Sequence, residues 1–270
     1  MIKLSAVILA KTDSDANFNM TLECIDTLLA SEPGAEIIVV ESNKKIGETN
    51  FRYPESVIFT MPDDDFNFHK FLNVGIKKSK GEYVALLNND LIFDKDWFAE
   101  ILKVAQKRPD IKSFSPAADR YKTYDTDFEV GYKVRTHVNG WCLVAKREVF
   151  SKIGMLDETF DFNYADNDYA MTLKKHNIPH AVAYRSKVTH LENERDGKGE
   201  WYERKRKEAE RELSKIVAQP DAIVDPKGHR DSLKFHNKWG STTKLYRKNR
   251  VADLLIKYKL GFLNRFLMSL

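Results

Sequence analysis

Strand and helix signals alternate four times within about the first hundred residues, and this alternation constrains the fold more than any other feature. Leu4–Ala10, "AEIIVVES" and "EYVALL" are apolar runs with almost no polar residue inside them; "SVIFTM" is a fourth, shorter run. Between them lie segments of helical period. Asn19–Ala30 carries Met20, Cys24, Thr27 and Leu28 on one side and is stopped by "EPG". Phe66–Lys80 carries Phe68, Phe71, Leu72 and Ile76, with Gly81 beyond its end. Asp96–Gln106 turns Trp97, Ile101, Leu102 and Ala105 inward, with Asp94 or Asp96 placed to cap it. Strands apolar on both faces belong to parallel sheets covered by helices on either side. The expected class is therefore α/β, a mainly parallel sheet flanked by helices.

A chain of 270 residues fits one large domain, or one domain with an appendage. Its 42% hydrophobic and 31% charged content suits a globular protein with a core. The two cysteines, Cys24 and Cys142, are too far apart for a disulfide framework or a zinc-finger spacing. They favour a reducing, cytoplasmic compartment. Lys3 followed by Leu4–Ala10 has the outline of a secretory signal, but the apolar run is at the short limit and charge follows at once, so it reads as a first strand. No run is long enough to cross a bilayer as a helix.

Charge is divided unevenly. Residues 1–184 carry 23 Lys/Arg against 28 Asp/Glu, whereas residues 185–270 carry 21 against 12. The C-terminal third is thus either a solvated helical face or a surface for an anionic partner such as nucleic acid, polyanionic glycan or membrane. After Ser115 the pattern loosens. "DRYKTYDTDFEVGYKVR" has no strong period; "NGWCLVAKREVFSKIG" returns to strand and helix; "YADNDYAMTLKKHN" is acidic, then helical; "AVAYRSKVTHLEN" is strand. A charged helix is expected over Glu200–Val217, loop over 221–245, and an amphipathic helix over Val251–Leu270 that suits a membrane face, a second copy of the chain or the domain itself. In "HNKWGS", Trp239 forms a lip over an acceptor or packs on the core, and packing is the favoured reading.

Chemistry concentrates at strand ends. The strand "EYVALL" ends in Asn88-Asn89-Asp90 before Leu91, Ile92 and Phe93 turn apolar again. In open α/β sheets ligands bind at the carboxyl ends of strands. A carboxylate and amides there form either a plain turn or a site for a hard divalent cation and a diphosphate. Asp166 and Asp168 stand together at a helix start, where only one of them caps; the other, if partly buried, has the raised pKa of a general base. His190 ends an apolar stretch, as a hydrogen-bonded structural residue or as a ligand for a Mn²⁺-type ion.

Taken in order, these features resemble a family 2 glycosyltransferase of GT-A fold, over about residues 4–195. "SAVILAKTD" is similar to the family's opening strand and nucleotide loop, and "IIVVESN" to its second strand, with Glu41 where the family usually has Asp. "FNFHKFLNVGIKKSKGEYVALLNNDLIF" resembles the helix bearing a fixed Asn, here Asn73, followed by the DxD-type metal motif, here Asn88-Asn89-Asp90. "NGWCLVAKREVFSKIGMLDETF" is similar to the acceptor-side segment. "YADNDYAMTLKKHN" resembles the Glu-Asp-x-Asp stretch, with Ala165 where Glu is usual, and His190 resembles the late metal-binding histidine.

The resemblance implies a catalytic domain over 1–195 and a basic, mostly helical extension over 196–270. It implies sugar transfer, with inversion, from a nucleotide diphosphate sugar, a UDP-sugar first, to a hydroxyl acceptor: a surface glycan, a lipid-linked glycan or a modified DNA base. Asp90 and His190 would hold Mn²⁺ or Mg²⁺; Ala10, Thr12, Glu41, Asn73, Asn88 and Asn89 would face the donor. Asp166 would be the base, with Asp168 as its substitute. With Asn88 in place of the motif's first acid, Asp90 is its only carboxylate, so His190 and the diphosphate matter more. Homo-oligomers and peripheral attachment to the inner membrane face are compatible with this. A nucleotidyltransferase or a dinucleotide-dependent oxidoreductase would require a glycine-rich loop after the first strand, and "AKTDSDANFN" has no glycine. A non-catalytic nucleotide-sugar or glycan-binding protein on the same fold is the serious alternative.

Overall fold

A computed structural model describes residues 2–117, 122–191 and 226–269. The helix expected over Glu200–Val217 lies outside the described residues. Nine strands form one sheet among the described residues, in the order β3-β2-β1-β4-β8-β6-β9-β5, with β7 paired to β9. β1 (Leu4–Ala10), β2 (Glu36–Glu41), β3 (Ile58–Thr60) and β4 (Tyr83–Asn88) are all parallel, as their apolar runs require. Every residue of β1 is buried.

Beyond β4 the sheet is mixed. β8 (Cys142–Lys146) runs antiparallel to β4 and to β6 (Ser113–Ala117), and β6 is parallel to β9 (His180–His190). β5 (Leu91–Phe93) and β7 (Phe128–Val130) are antiparallel to β9. The apolar trio after Asp90 is thus a separate strand that has left β4 and joined β9.

The register gathers strand ends at one edge. Ala10 lies beside Glu41, Leu9 beside Asn88, Leu87 beside Cys142 and Leu91 beside His190. Helices cover both faces. α1 (Asp15–Ser31) and α3 (Trp97–Lys107) bury Cys24, Leu28, Trp97 and Ile101 on one side; α2 (Phe68–Lys78), α4 (Arg147–Ile153) and α5 (Ala165–Lys175) bury Phe71, Leu72, Val149, Tyr169 and Leu173 on the other. Each fully buried aliphatic or phenyl group stabilises the fold by about 1.5–3 kcal/mol before ordering costs. α1 begins earlier than its periodicity indicates because Ser14 Oγ accepts the Asn17 N–H at 3.3 Å. Asn67 Oδ1 likewise accepts the Lys70 N–H at 2.8 Å and starts α2. Asp96 occupies the cap position of α3 without a side-chain capping bond.

The C-terminal region departs most from expectation. The stretch 221–245, read as loop, contains α6 (Pro226–Trp239) and the start of α7 (Thr242–Lys257). Pro226 is the first helical residue of α6, where its missing N–H costs nothing. Gly240, at φ 107°, supplies the left-handed turn that separates α6 from α7. The helix expected over Val251–Leu270 is broken at Lys259, φ 59°, into a 3₁₀ turn at Gly261–Leu263 and a short α8 (Asn264–Leu267). Phe235, Trp239, Leu245 and Ala252 share one apolar cluster with Phe160, Ala165 and Met171. The extension therefore packs directly on the loop before α5 and on α5 itself.

Candidate active site

Asp90 sits in the two-residue step between β4 and β5, and His190 closes β9. Pairing of β5 with β9 carries the two together: His190 Nε2 stands 3.2 Å from Asp90 Oδ1. Both side chains are largely buried, and Asp90 Oδ1 makes no hydrogen bond. The adjoining backbone is pinned, since Leu191 N–H donates to the Asp90 carbonyl at 2.9 Å. A buried carboxylate oxygen without a hydrogen bond is costly unless a cation or proton joins it. A carboxylate oxygen and an imidazole nitrogen at one point fit an ion of the Mn²⁺ or Mg²⁺ kind, completed by phosphate and water. Among the described residues no group of three or more His, Cys, Asp or Glu side chains is disposed around one metal position. An ion here would take its remaining ligands from substrate and solvent.

Asn88 ends β4 half-buried, its N–H donating to the Trp141 carbonyl at 3.0 Å. The Asn89 amide turns to Thr21 Oγ1 at 2.9 Å, which ties the motif to α1.

The loop after β1 is organised by Glu41. This side chain is fully buried, and its Oε1 accepts the Thr12 N–H at 3.0 Å and the Asn43 N–H at 2.7 Å. Thr12 Oγ1 lies 2.6 Å from the Tyr53 hydroxyl, and Asn43 Nδ2 donates to the Thr12 carbonyl. The Ala10 carbonyl accepts both the N–H and the hydroxyl of Ser42. The longer arm of Glu41 is thus bent back to hold the loop rather than extended outward. Burial pushes the Tyr53 hydroxyl up to about 12, so it remains a neutral donor.

Asn73 is engaged within the protein. It is buried, its amide donates to the Leu156 carbonyl and Glu158 Oε1, both at 2.9 Å, and its oxygen accepts the Leu156 N–H at 3.0 Å. With both amide hydrogens engaged, Asn73 fixes the 156–158 loop that leads into α5.

The two acids of α5 divide. Neither is its N-cap, which is Tyr164 in a left-handed conformation at φ 61°. Asp168 is buried, and its Oδ1 accepts the Trp239 indole N–H and the Lys238 ammonium, each at 2.7 Å. Lys238 also reaches Asp157 at 2.7 Å. Asp168 is thus engaged in anchoring α6, and burial raises its pKa as well, offset in part by Lys238 and the Trp239 bond. Asp166 is half-buried, and its Oδ1 accepts only the Asn167 N–H, at 2.8 Å, among the bonds described. Burial raises its pKa above the ordinary carboxylate value, partly offset by that bond and by the Arg135 charge. A carboxylate so poised is a better proton acceptor than an exposed one.

Asn139-Gly140-Trp141 connects these parts. A Cβ on Gly140 would fall 3.1 Å from Asp166 Cβ and 3.3 Å from its Oδ2, so the backbone lies directly against the acid. Trp141 stacks on His190, with ring centroids 5.3 Å apart and planes 10° from parallel. Asn139 is buried, bonded to Ser115 Oγ and the Pro116 carbonyl. One tripeptide at the start of β8 therefore touches Asp166, His190 and the end of β4. Asn-Gly before an apolar run is its sequence signal. Tyr53 and Arg135 had none.

The fold and this edge define a class, that of GT-A glycosyltransferases. A family model, glycosyl transferase family 2, matches residues 7–191, and the chain belongs to that family. The uncharacterized protein y4gI of Sinorhizobium fredii is 30% identical, over 40% of this chain and 15% of its own length. Among solved structures, GalNAc-T7 with UDP, GalNAc and Mn²⁺ superposes with a TM-score of 0.55 at 13% identity, over 70% of this chain and 44% of the other. TarS of S. aureus gives 0.50 at 11%, over 68% and 35%. The chain thus spans less than half the length of each of these proteins. At such identities the two structures bear on the fold alone.

Proposed function

We propose that this domain transfers a sugar, with inversion, from a nucleotide diphosphate sugar to a hydroxyl acceptor, with Asp90 and His190 holding a divalent cation and Asp166 acting as base. The observation that carries this reading is the 3.2 Å approach of His190 to Asp90 at the end of β4, tied through Trp141 and Gly140 to a raised-pKa carboxylate. The cation, when bound, supplies charge to offset that developing on the departing diphosphate.

The chain's own groups do the rest. The loop after β1, held by Glu41 and Tyr53 through the buried Thr12, receives the nucleoside, with the half-buried Asn88 beside it. Asp166 accepts the acceptor's hydroxyl proton as that oxygen bonds to the anomeric carbon. The bond from that carbon to the diphosphate oxygen breaks, and its electron pair leaves with the nucleoside diphosphate. One base suffices because no covalent glycosyl enzyme forms; hydrolases instead set two carboxylates across the bond. Gly140 packs directly against Asp166 and restricts where the acid can sit.

UDP-sugars with Mn²⁺ are the pair to try first, since the GalNAc-T7 structure contains UDP and Mn²⁺. The acceptor is a glycan or another hydroxyl compound. Incubation with UDP-sugars, Mn²⁺ and an acceptor panel, read as UDP release, tests the reading. Turnover that Asp90→Ala and Asp166→Asn each reduce by orders of magnitude supports it. A protein that binds the donor and releases no nucleoside diphosphate with any of them is the binding module instead.

A further inference from the structure

We infer that α7 and the turn after it form a docking face for an anionic lipid surface. α7 buries Leu245 and Ala252 against the body of the protein. The opposite side of the same helix presents Val251, Leu254 and Tyr258, at 44%, 53% and 66% exposure and at the i, i+3, i+7 spacing of a single helical face. Phe262 and Phe266 continue the exposed apolar set at 61% and 69%. Five large apolar side chains within sixteen residues exceed the scattered singles expected of a surface.

Charge decides what covers them. Residues 242–269 carry seven Lys/Arg and one acid, Asp253. Asp253 is turned to Lys174 of α5, at 2.6 Å, so that acid is already paired with the body of the protein. Arg247 lies one turn before Val251 and two before Leu254; Arg250 and Lys257 border the same face, while Lys259 and Arg265 flank the aromatics. A second copy of so basic a face would be repelled. Nucleic acid would pair with the cations yet leave the apolar residues in water. A bilayer with anionic headgroups satisfies both, with aromatic and aliphatic groups entering the headgroup boundary and basic residues spread around them. Among the described residues no helix is long and apolar enough to cross the membrane. The inference stands apart from the catalytic reading, because Asp90→Ala leaves the face intact.

Full-chain protein is sedimented with phosphatidylcholine vesicles, with and without phosphatidylglycerol. Binding is expected only to the anionic vesicles, equal for Asp90→Ala and wild type, and reduced by added salt. Arg247→Ser with Arg250→Ser weakens it on the order of thirtyfold, from about 1 kcal/mol for each basic residue. Leu254→Ser with Phe262→Ser weakens it on the same vesicles while thermal unfolding is unchanged. Failure to bind anionic vesicles overturns the inference. So does a concentration-dependent dimer that Leu254→Ser with Phe262→Ser abolishes, or DNA binding that matches the vesicle affinity and ignores that pair.

Discussion

The indole N–H of Trp239, at the end of α6, donates to the carboxylate of Asp168 on α5 at 2.7 Å, in a site closed to solvent. Two acids that stand two residues apart in the sequence are thereby separated in role. Asp168 holds the C-terminal helices to the body, and Asp166, which takes no part in that contact, is the proposed base.

Trp239→Phe keeps the ring and removes the N–H. It should destabilise the fold by about 1–3 kcal/mol, the usual cost of an unmet buried hydrogen bond, while turnover at low temperature stays within a few-fold of wild type. Denaturant unfolding and initial rates measured on the same samples check this.

Asp166→Asn should lower turnover by about 10²–10⁴-fold, the range for a lost general base. It should also change the pH dependence of stability. Because burial raises the folded pKa of Asp166, the native state binds this proton more readily than the unfolded chain, and its contribution falls as pH climbs through the folded value. The asparagine variant lacks that fall. Relative to wild type it should gain thermal stability above the ordinary carboxylate range and not below it, as unfolding temperatures measured across pH would register.

Gly140→Ala places a methyl 3.1 Å from Asp166 Cβ and 3.3 Å from its Oδ2. Either the acid or the loop must give way. The shift needed is a few tenths of an ångström; since a misplacement of about 1 Å costs on the order of 10²-fold in rate, kcat should fall by less than that while donor affinity, read by calorimetry with UDP, holds.

Glu41→Ala strips the acceptor from two backbone N–H groups, those of Thr12 and Asn43. The loop after β1 should loosen, raising the donor KM by roughly tenfold with a smaller change in kcat. Steady-state kinetics with varied donor separate the two.

Much of this architecture is legible in the residues. β1, β2 and β4 are readable because a strand buried on both faces must be apolar throughout, and the polar tip Asn88-Asn89-Asp90 then stands out at the edge where ligands bind. Residues whose partners lie far along the chain are not readable in this way. The bonds of Asn73 to Leu156 and Glu158, and those of Asp168 to Trp239 and Lys238 from α6, join positions far apart in the chain. α6 itself was hidden because Pro226 and Gly240, which read as loop residues, are its first residue and its stop.

The most direct measurement is Mn²⁺ binding followed by the loss of its free-ion electron paramagnetic resonance signal, with UDP present, in wild type, Asp90→Ala and His190→Ala. Wild type should deplete the free signal to saturation at one ion per chain; Asp90→Ala should leave it undiminished, and His190→Ala should weaken binding at least about tenfold, as expected when one ligand of a sparse set is removed. Equal depletion by all three proteins would contradict the account, because the ion would then be held somewhere other than between these two side chains.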